Sequence, residues 1–575
     1  MTTIAELLVT GLADHGVRTI WGVVGDALNP VTDAIRQEER IEWIGVRHEE
    51  VGAFAAGAQA QLTGRLGVCM GTVGPGSIHL LNGLYDAKKS HAPVLAICGQ
   101  VPIAEIGSDY FQEVNNDTLF SDVAVFAQTI TSPSQLPQLL EQAVNAASSH
   151  QGVAVLTLPA DVGELKLPAG TAPPRFVDTD RPTTPATVQL RTAAALLNEA
   201  TKVSLLVGIG ALAARSQVLA LAERCAAPMV LTIKAKEGLE HDNDYQVGQN
   251  GLIGNPAAAQ AFDDCDVLFM IGTDFPYRDF FPTDATVIQL DARADHIGRR
   301  TSVNLGLVGH VAPTMDALLP LVTDERDRSH LDAVREKYDK WSARQSELAD
   351  PAYEAKPIGL LRAQADNPDR RVRPEVLAAA LDRHASQSAI FTADTGMSTV
   401  WLARYVTMSG TRRLLGSFNL GSMANAMPQA LGAQALDRQR QIVAFCGDGG
   451  LTMLMGDLLT AVSAELPVKL VVFDNGRLGM VKLEQEEVAQ PEEGTVLREP
   501  DLAAVAAAIG MRGIRVTEAD EVDSAVSEAL AHPGPVLLDV LTNPNEIALP
   551  PKPSVNEAWG FAVAKVKEAV GQGEA

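Results

Sequence analysis

Two polar side chains in the last third of the sequence have the types and spacing of a metal-diphosphate site. Asp448 lies in a Gly-Asp-Gly-Gly run after an apolar segment, and Asn475 follows a second apolar segment, Val468 to Phe473. Mg²⁺ prefers carboxylate and amide oxygens, with phosphate, water or backbone carbonyls completing its shell. Gly-Asp-Gly-Gly alone is more often a plain turn, but the second strand-end residue favours a metal-diphosphate site.

The elements that position these two residues should be parallel strands joined by a helix. Gln441 to Cys446 and Val468 to Phe473 are apolar runs of strand type, and Leu451 to Leu466 has helical periodicity. Neighbouring parallel strands open their carboxyl ends on one edge of the sheet. We therefore expect Asp448 and Asn475 to converge there.

A third chemical candidate stands near the N-terminus. In Arg47 to Glu50 the acid Glu49 follows a strand-like run and opens an Ala-rich helix. The helix dipole favours an acid in the first turn, and on position alone that structural role outweighs catalysis. The turn Gly74 to Gly76 and the polar, aromatic loop Gly107 to Glu113 are weaker signals of a pocket at the same edge.

Length and composition limit the classes of protein to which the chain could belong. A chain of 575 residues is too long for one core and suggests three or four domains. With 46% hydrophobic residues, no span-length apolar run and no leader, we expect a cytoplasmic protein. The net charge of −25 argues against a nucleic-acid partner. Five cysteines without C-x-x-C spacing should be buried free thiols.

Alternating strands and helices predict an α/β protein of three doubly wound parallel-sheet domains. We place the domains at residues 1–180, 185–340 and 355–575, with Pro-rich or charged linkers between them, and the first and third look like paired halves. The strands of the middle domain end in Gly-rich turns or an acid, which suits a dinucleotide, although a full G-x-G-x-x-G is absent.

Several motifs in a fixed order resemble those of thiamine diphosphate-dependent decarboxylases and oxidases. Besides GDGG and DNGRLGM, they are RHEEVGAFAAGAQAQLTG, GPG, GSDYFQE, GTDFPYRDFFPTDA, DTGM, LLGSFNLGSMANAMPQALGAQ and LPPKP. The resemblance runs from about Thr3 to about Phe561. Within that family the chain is most similar to bacterial pyruvate oxidases, particularly the quinone-linked pyruvate dehydrogenases.

The resemblance implies roles at a thiamine diphosphate site. Asp448, Asn475 and the carbonyl of Arg477 would hold Mg²⁺. Met423 would bend the cofactor, and Glu49 of the facing subunit would hydrogen-bond the pyrimidine N1′, so that the cofactor's own amino group becomes a base. Further expected contacts are Gly396, Met397, Gly421, Ser422, Gly449, Gly450, Leu478 and Gly479.

The resemblance also implies FAD in the middle domain. Expected contacts are Lys234, Asn250, Gly251, Leu252, Ile253, Gly254, Thr273, Asp274, Phe275, Pro276, Tyr277 and Asp291. Met480, with Phe111 and Gln112, would line the space between the flavin and the thiazolium. Spacing alone favours ordinary core packing for Met480.

The implied reaction is oxidative decarboxylation of pyruvate, or a related 2-oxo acid, to acetate or acetyl phosphate and CO₂. Electrons of the thiamine enamine would pass through FAD to a quinone or oxygen. Two alternatives stay open: a carboligase resembling acetolactate synthase with non-redox FAD, and a catalytically silent nucleotide-binding member. Because Glu49 and the diphosphate site would meet across subunits, the resemblance implies a homodimer or a homotetramer.

Four features depart from the family pattern. Asp474 stands where relatives usually have Asn, Leu420 replaces a His, and His310 replaces an Asp near the flavin. The quinone-linked relatives extend into a lipid-binding segment, whereas this sequence stops soon after a predicted helix from Ala562 to Val570. We therefore expect at most weak peripheral contact with the inner face of the cell membrane.

Overall fold

Three parallel β-sheets, each covered by helices, follow one another along the chain. This computed structural model describes residues 2–177, 182–324, 326–357, 359, 367–498 and 500–546. The predicted fold of three parallel-sheet α/β domains is confirmed. The LPPKP motif and the predicted helix from Ala562 to Val570 lie outside the described residues.

The first sheet has the spatial strand order β2-β1-β3-β4-β6-β5, and all its neighbours are parallel. Its strands are β1 Thr19–Gly22, β2 Glu42–Gly45, β3 Gly67–Gly71, β4 Val94–Gln100, β5 Ala124–Thr129 and β6 Val153–Pro159. The helices around it are Ile4–His15, Asn29–Gln37, Glu49–Thr63, Pro75–His79, Leu81–Lys89, Asn116–Leu119 and Leu136–His150. β3, β4 and β6 are buried throughout, as strands covered on both faces must be.

The middle sheet has five strands in the order β11-β10-β9-β7-β8. They are β7 Val203–Val207, β8 Met229–Leu231, β9 Val267–Ile271, β10 Thr286–Asp291 and β11 Leu305–Val308. The helices of this part are Thr187–Glu199, Arg215–Cys225, Lys236–Leu239, Pro256–Asp263, Val311–Leu318 and Ser329–Leu348.

The third sheet repeats the topology of the first. Its order is β13-β12-β14-β15-β17-β16, which is the same order when the strands of each sheet are counted along the chain. The strands are β12 Ile390–Ala393, β13 Arg413–Gly416, β14 Ile442–Gly447, β15 Lys469–Asp474, β16 Arg512–Val516 and β17 Val536–Leu541. Its helices are Pro374–His384, Met397–Tyr405, Ala426–Leu436, Asp448–Met453, Leu458–Ser463, Gly479–Glu487, Leu502–Ala508 and Val522–Ala531.

The first and third domains pack together through two helices, Glu49–Thr63 and Ala426–Leu436. Small residues let the backbones approach closely: a Cβ on Gly432 would lie 2.3 Å from the carbonyl oxygen of Ala55. The Gln59 amide donates to the Gly432 carbonyl at 3.2 Å. The helix that begins at Glu49 is therefore fixed against the third domain of its own chain.

The segment between β14 and β15 is not the single helix that its periodicity predicts. A helix from Asp448 to Met453 is followed by a 3-10 turn, Met455–Asp457, and a second helix, Leu458–Ser463. The prediction of one continuous helix was wrong. At the break, the carboxylate of Asp457 accepts hydrogen bonds from two amides of the first domain.

The cysteines are all buried free thiols, which confirms the expectation from their spacing. In the part of the chain that the structure describes, no helix combines the length and apolar character needed to cross a membrane.

Candidate active site

A pocket opens at the carboxyl edge of the third sheet, between β14 and β15. Gly447 and Phe473 are partners in the register of these strands, so the segments that follow them flank one opening. Among the predicted site residues, the pocket is lined by Gly396, Met397, Met423, Asp448, Gly449, Gly450, Asn475, Arg477, Leu478, Gly479 and Met480. The structure thus brings together residues that lie far apart in sequence.

The floor of this pocket suits a diphosphate. Gly396 has φ = 133°, a conformation that favours glycine, and it begins the helix Met397–Tyr405, whose N-terminal amides can receive an anion. Gly450 admits no side chain, because its Cβ would lie 2.3 Å from the Asp394 carboxylate. A Cβ on Gly396 or on Gly447 would meet nothing within 4 Å, so the space over these two backbones is open to a ligand.

Asp448 is suited to hold a cation. It is buried, and among the described residues no basic side chain forms an ion pair with it. Burial and the charge of Asp474 raise the pKa of Asp448 to about 7. Asn475 is oriented by the amide of Arg477, which donates to its Oδ1 at 3.0 Å. The described residues contain no cluster of three acidic, His or Cys ligands. Oxygens of a bound diphosphate could complete the shell of a cation held by Asp448 and Asn475.

Asp394 is a pocket residue that the sequence analysis missed. Its carboxylate accepts the amide of Ala426 at 2.9 Å and that of Gly447 at 3.2 Å, which ties the end of β12 to the last residue of β14 and to the start of the helix Ala426–Leu436. Burial raises its pKa to about 7. The available signal was the motif DTGM, in which Gly396 and Met397 alone received a role.

The turn that carries Met423 is strained. Gly421 has φ = 77°, and Ala424 has φ = 63°, a left-handed conformation that costs a non-glycine residue about 1–2 kcal/mol. Ser422 is held by Ser417, whose hydroxyl accepts its amide at 3.0 Å. Of the three predicted residues in this turn, Met423 lines the pocket, whereas Gly421 and Ser422 do not.

Glu49 lies outside this pocket in the single chain. It is the first residue of its helix, is 6% exposed, and has Oε2 2.9 Å from Nδ1 of His79. The His79 ring stacks on that of His48 with 4.4 Å between ring centroids. The predicted acid is thus ordered at the carboxyl edge of the first sheet, apart from Asp448.

Phe111 and Gln112 lie near Glu49 rather than near the diphosphate pocket. The backbone of Gln112 packs against Gly74, where a Cβ would lie 2.8 Å from its carbonyl oxygen. Two loop amides donate to the Glu113 carboxylate and fix the loop. Phe111 is 79% exposed. This loop therefore presents an aromatic side chain outward at the edge that also holds Glu49.

A second cavity lies between the middle and third domains. The predicted flavin contacts that line it are Lys234, Asn250, Ile253, Asp274, Phe275, Pro276 and Tyr277, and the third domain contributes Thr399, Phe418 and Asn419. Oδ1 of Asn250 is buried without a hydrogen-bond partner in the described structure. An apolar, aromatic cleft with one unsatisfied acceptor fits a flavin, which brings ring N–H groups.

Lys234 is a partly buried cation that lines this cavity. Its ammonium group donates to Gln61 of the first domain. Burial lowers the pKa of Lys234, while Glu237 and Asp86 oppose that shift. Burial raises the pKa of Asp86 to about 6, against Ser417 and Lys234. The three domains therefore meet in a charged cluster beside the cavity.

The other predicted flavin residues do not line the cavity: Gly251, Leu252, Gly254, Thr273 and Asp291. Asp291 accepts the amide of Arg293 at 2.9 Å. For Asp274, burial acts to raise the pKa, but His91, Arg299 and Arg300 together hold it well below its usual range.

The Gly-rich strand ends of the middle domain use their amides internally. Gly208 donates to Ile271 at 2.9 Å and Gly210 donates to Gly272 at 3.0 Å. These amides are therefore not available to a pyrophosphate. His310, one of the family departures, accepts the amide of Thr183 at 2.9 Å, and Leu420 is partly buried in the turn before Gly421.

Comparison with known families matches each of the three sheets. Residues 2–119 match the thiamine pyrophosphate enzyme N-terminal TPP binding domain, residues 190–318 the central domain, and residues 394–540 the C-terminal TPP binding domain. The chain belongs to the thiamine pyrophosphate enzyme family. Thiamine pyrophosphate is the same cofactor as thiamine diphosphate, so the Asp448 pocket lies within a recognised binding domain of this enzyme.

Relatives of this thiamine pyrophosphate enzyme match along nearly its whole length. It is 38% identical to the YdaP protein of Bacillus subtilis, over 98% of this chain and 96% of the relative. It is 30% identical to the pyruvate oxidase of Lactiplantibacillus plantarum, over 92% of this chain and 86% of the relative. It is 31% identical to the acetolactate synthase isozyme 2 large subunit of Escherichia coli, over 93% of this chain and 95% of the relative. Identity alone does not separate oxidase from synthase.

The thiamine pyrophosphate enzyme has a buried carboxylate cluster in one wall of its diphosphate pocket. Glu546 lines the pocket, and Arg373 lies 3.0 Å from Glu375 and 3.6 Å from Glu546. Burial raises the pKa of Glu375, and Glu546 raises it further, against the effect of Arg373. No sequence motif predicts this cluster, because its members come from both ends of the third domain.

We expect Glu375→Gln to remove a pH dependence of stability. A raised pKa means that the folded chain binds more protons than the unfolded chain, so the wild type loses stability as the pH rises above 4.5, the ordinary value for this group. Between about pH 5 and pH 8, the free energy of unfolding of the variant should rise relative to that of the wild type by on the order of 1–2 kcal/mol. Urea unfolding measures this difference, with exposed Glu518→Gln as the control. A difference that stays constant with pH would contradict it.

Proposed function

We propose that this enzyme oxidatively decarboxylates pyruvate, or a related 2-oxo acid, to acetate or acetyl phosphate and CO₂. Electrons pass through FAD to a quinone or oxygen. The observation that carries this proposal is that one helix, Met397–Tyr405, separates the two cavities. Ser398 lines the diphosphate pocket, and its neighbour Thr399 lines the second cavity.

A wall one helix thick favours electron transfer between two bound cofactors. An α-helix with its side chains is about 10–12 Å across. A second element, the helix Gly479–Glu487, also borders both spaces: Met480 lines the diphosphate pocket, and the charge of Glu484 reaches Tyr277 in the flavin cleft. In our proposal Met480, with Phe111 and Gln112 from a second copy, lines the space between the cofactors.

The residues of this chain have separate roles in binding the cofactor and in proton transfer. Thiamine diphosphate supplies the carbon nucleophile and the electron sink for decarboxylation when it is bound. Asp448, Asn475 and the carbonyl of Arg477 would hold Mg²⁺, and Met423 would contact the cofactor. The carboxyl group of Glu49 would hydrogen-bond the pyrimidine ring nitrogen and so make the cofactor's amino group a better base.

Glu49 must come from a second copy of the chain. Within one chain, Glu49 and the exposed Phe111 occupy the edge of the first sheet, while Asp448 and Met480 line a different pocket. We therefore propose a homodimer in which each first domain faces the third domain of the other copy. A homotetramer would be a pair of such dimers. We further propose a cytoplasmic enzyme with at most weak peripheral contact with the membrane.

A second candidate is a carboligase that joins two 2-oxo acids, with FAD in a structural role. The 31% identity to an acetolactate synthase subunit supports it. A catalytically silent member is disfavoured because Glu49, Asp448 and Asn475 are all present and ordered.

Product analysis separates these candidates. We expect pyruvate, thiamine diphosphate, Mg²⁺ and FAD to yield acetate or acetyl phosphate only when an electron acceptor, an artificial quinone or oxygen, is present, with one acceptor molecule reduced by two electrons per product formed. Omission of phosphate decides between acetate and acetyl phosphate. Acetolactate, seen as acetoin after acidification and formed without any acceptor, would overturn the oxidase proposal.

A further inference from the structure

Asp457 occupies a helix N-cap but does not cap its helix. An aspartate at this position ordinarily accepts amides of the first turn. At the start of Leu458–Ser463 the side chain makes no such bond. Its Oδ1 instead accepts the amide of Arg47 at 2.8 Å, and its Oδ2 accepts the amide of His48 at 3.2 Å. These donors lie in the first domain, 410 and 409 positions away.

The buried Asp457 carboxylate depends on these two amides for most of its hydrogen bonds. It is 1% exposed, and among the described residues no basic side chain lies within ion-pair distance of it. Thr460 donates its hydroxyl to Oδ1 at 2.7 Å. Burial raises the pKa of Asp457, and the amide of Arg47 lowers it. A buried charge satisfied by two foreign amides holds their backbone firmly, because leaving the charge or the amides unsatisfied is costly.

The two amides belong to the peptide units that lead directly into Glu49. His48 is the N-cap of the helix Glu49–Thr63, so two fixed successive amides set the direction in which Glu49 leaves the backbone. We propose that Asp457 is a positioning residue that aims Glu49 at the cofactor. This rests on the part of the proposed function in which Glu49 activates thiamine diphosphate held by a second copy.

The position of Asp457 gives this contact a further consequence. One short helix separates it from Asp448, the proposed metal ligand of the same chain. Each Asp457 would therefore link the diphosphate site of its own chain to Glu49 of that chain, which acts at the cofactor held by the second copy. Displacement of the helix Asp448–Met453 would be transmitted to Glu49 through two hydrogen bonds.

The test uses the rate at which the C2 proton of bound thiamine diphosphate exchanges with deuterium, followed by NMR after acid quench. This rate depends on Glu49 and needs neither pyruvate nor flavin. In the full chain saturated with cofactor and Mg²⁺, we expect Asp457→Ala and Asp457→Asn to slow exchange by about 10–100-fold, since small misplacements of a catalytic group have effects of that size. Cofactor affinity should stay within about threefold, because the diphosphate ligands are unchanged.

Asp501→Asn is the matched control. Asp501 is also an N-cap in the third domain, but it caps its own helix by accepting the amide of Ala504 at 2.8 Å. We expect normal C2 exchange in this variant. A folded, cofactor-saturated Asp457→Ala protein with wild-type exchange would overturn the proposal.

Three further outcomes keep the test decisive. If the Asp457 variants fail to fold, amide hydrogen exchange in the wild type decides: Arg47 and His48 should be protected like neighbouring strand amides, and unprotected amides would overturn the proposal. If the enzyme proves to be a carboligase, the slowed C2 exchange still stands. If instead Glu49→Gln exchanges at the wild-type rate, the premise fails and the proposal with it.

Discussion

Glu49→Gln should lower kcat by about 10²–10⁴-fold, the usual range for loss of a general acid or base. The amide is the same size as the carboxylic acid, but it does not stabilise the protonated ring nitrogen. Because Glu49 is buried at a helix start and contacts His79 rather than the core, the fold should persist. Steady-state kinetics and C2 proton exchange measure the effect.

Glu50→Gln is the matched control for this change. Glu50 is the next residue of the same helix, and its carboxylate accepts from the side chain of Asn82 at 2.6 Å. The charge change is identical, so a similar rate loss in both variants would indicate a general electrostatic or folding effect. Full activity in Glu49→Gln would remove Glu49 from the catalytic machinery.

Asp448→Asn should weaken binding of thiamine diphosphate in the presence of Mg²⁺ by about 10–100-fold or more, since a metal held by one or two protein oxygens depends on its carboxylate. The substitution preserves shape and removes the negative charge that no basic side chain in the described ranges neutralises. Chelation of Mg²⁺ from the wild type should give the same loss. Titration calorimetry, with and without Mg²⁺, measures both.

Asp474→Asn provides the control, because it removes a buried carboxylate at the end of the same sheet. Its charge raises the pKa of Asp448, so its loss should leave Mg²⁺ and cofactor binding unchanged or tighter. Equal weakening in both variants would contradict the assignment of Asp448 as the metal ligand.

The parts of this structure that the sequence predicts are those set by local pattern. Continuous apolar runs in β14 and β15 predict buried parallel strands, and strand-end polar residues then predict that Asp448 and Asn475 share one pocket. Three edge strands, β5, β8 and β11, carry weaker patterns. All residues of β5 are exposed or partly buried, so the strand lacks a regular alternation of buried and exposed side chains.

The residues that sequence reasoning missed act through distant partners. Asp394 binds amides of Ala426 and Gly447, and Asp457 binds amides of Arg47 and His48. Asp394 belongs to the motif DTGM, but that motif does not show which amides it binds, and Asp457 belongs to no recognised motif. The single-helix interpretation of the segment after β14 failed for the same reason, since the partner of Asp457 lies in another domain. In the proposed homodimer, the meeting of Glu49 with Asp448 likewise depends on a second chain.

The central claim is that electrons released by decarboxylation reach the flavin across the helix Met397–Tyr405. Enzyme loaded with FAD, thiamine diphosphate and Mg²⁺ should therefore lose the visible absorbance of oxidised flavin when pyruvate is added without oxygen, with one pyruvate consumed per flavin reduced. Glu49→Gln enzyme should keep its oxidised spectrum over the same interval. Consumption of pyruvate by the wild type while its flavin stays oxidised would contradict the account.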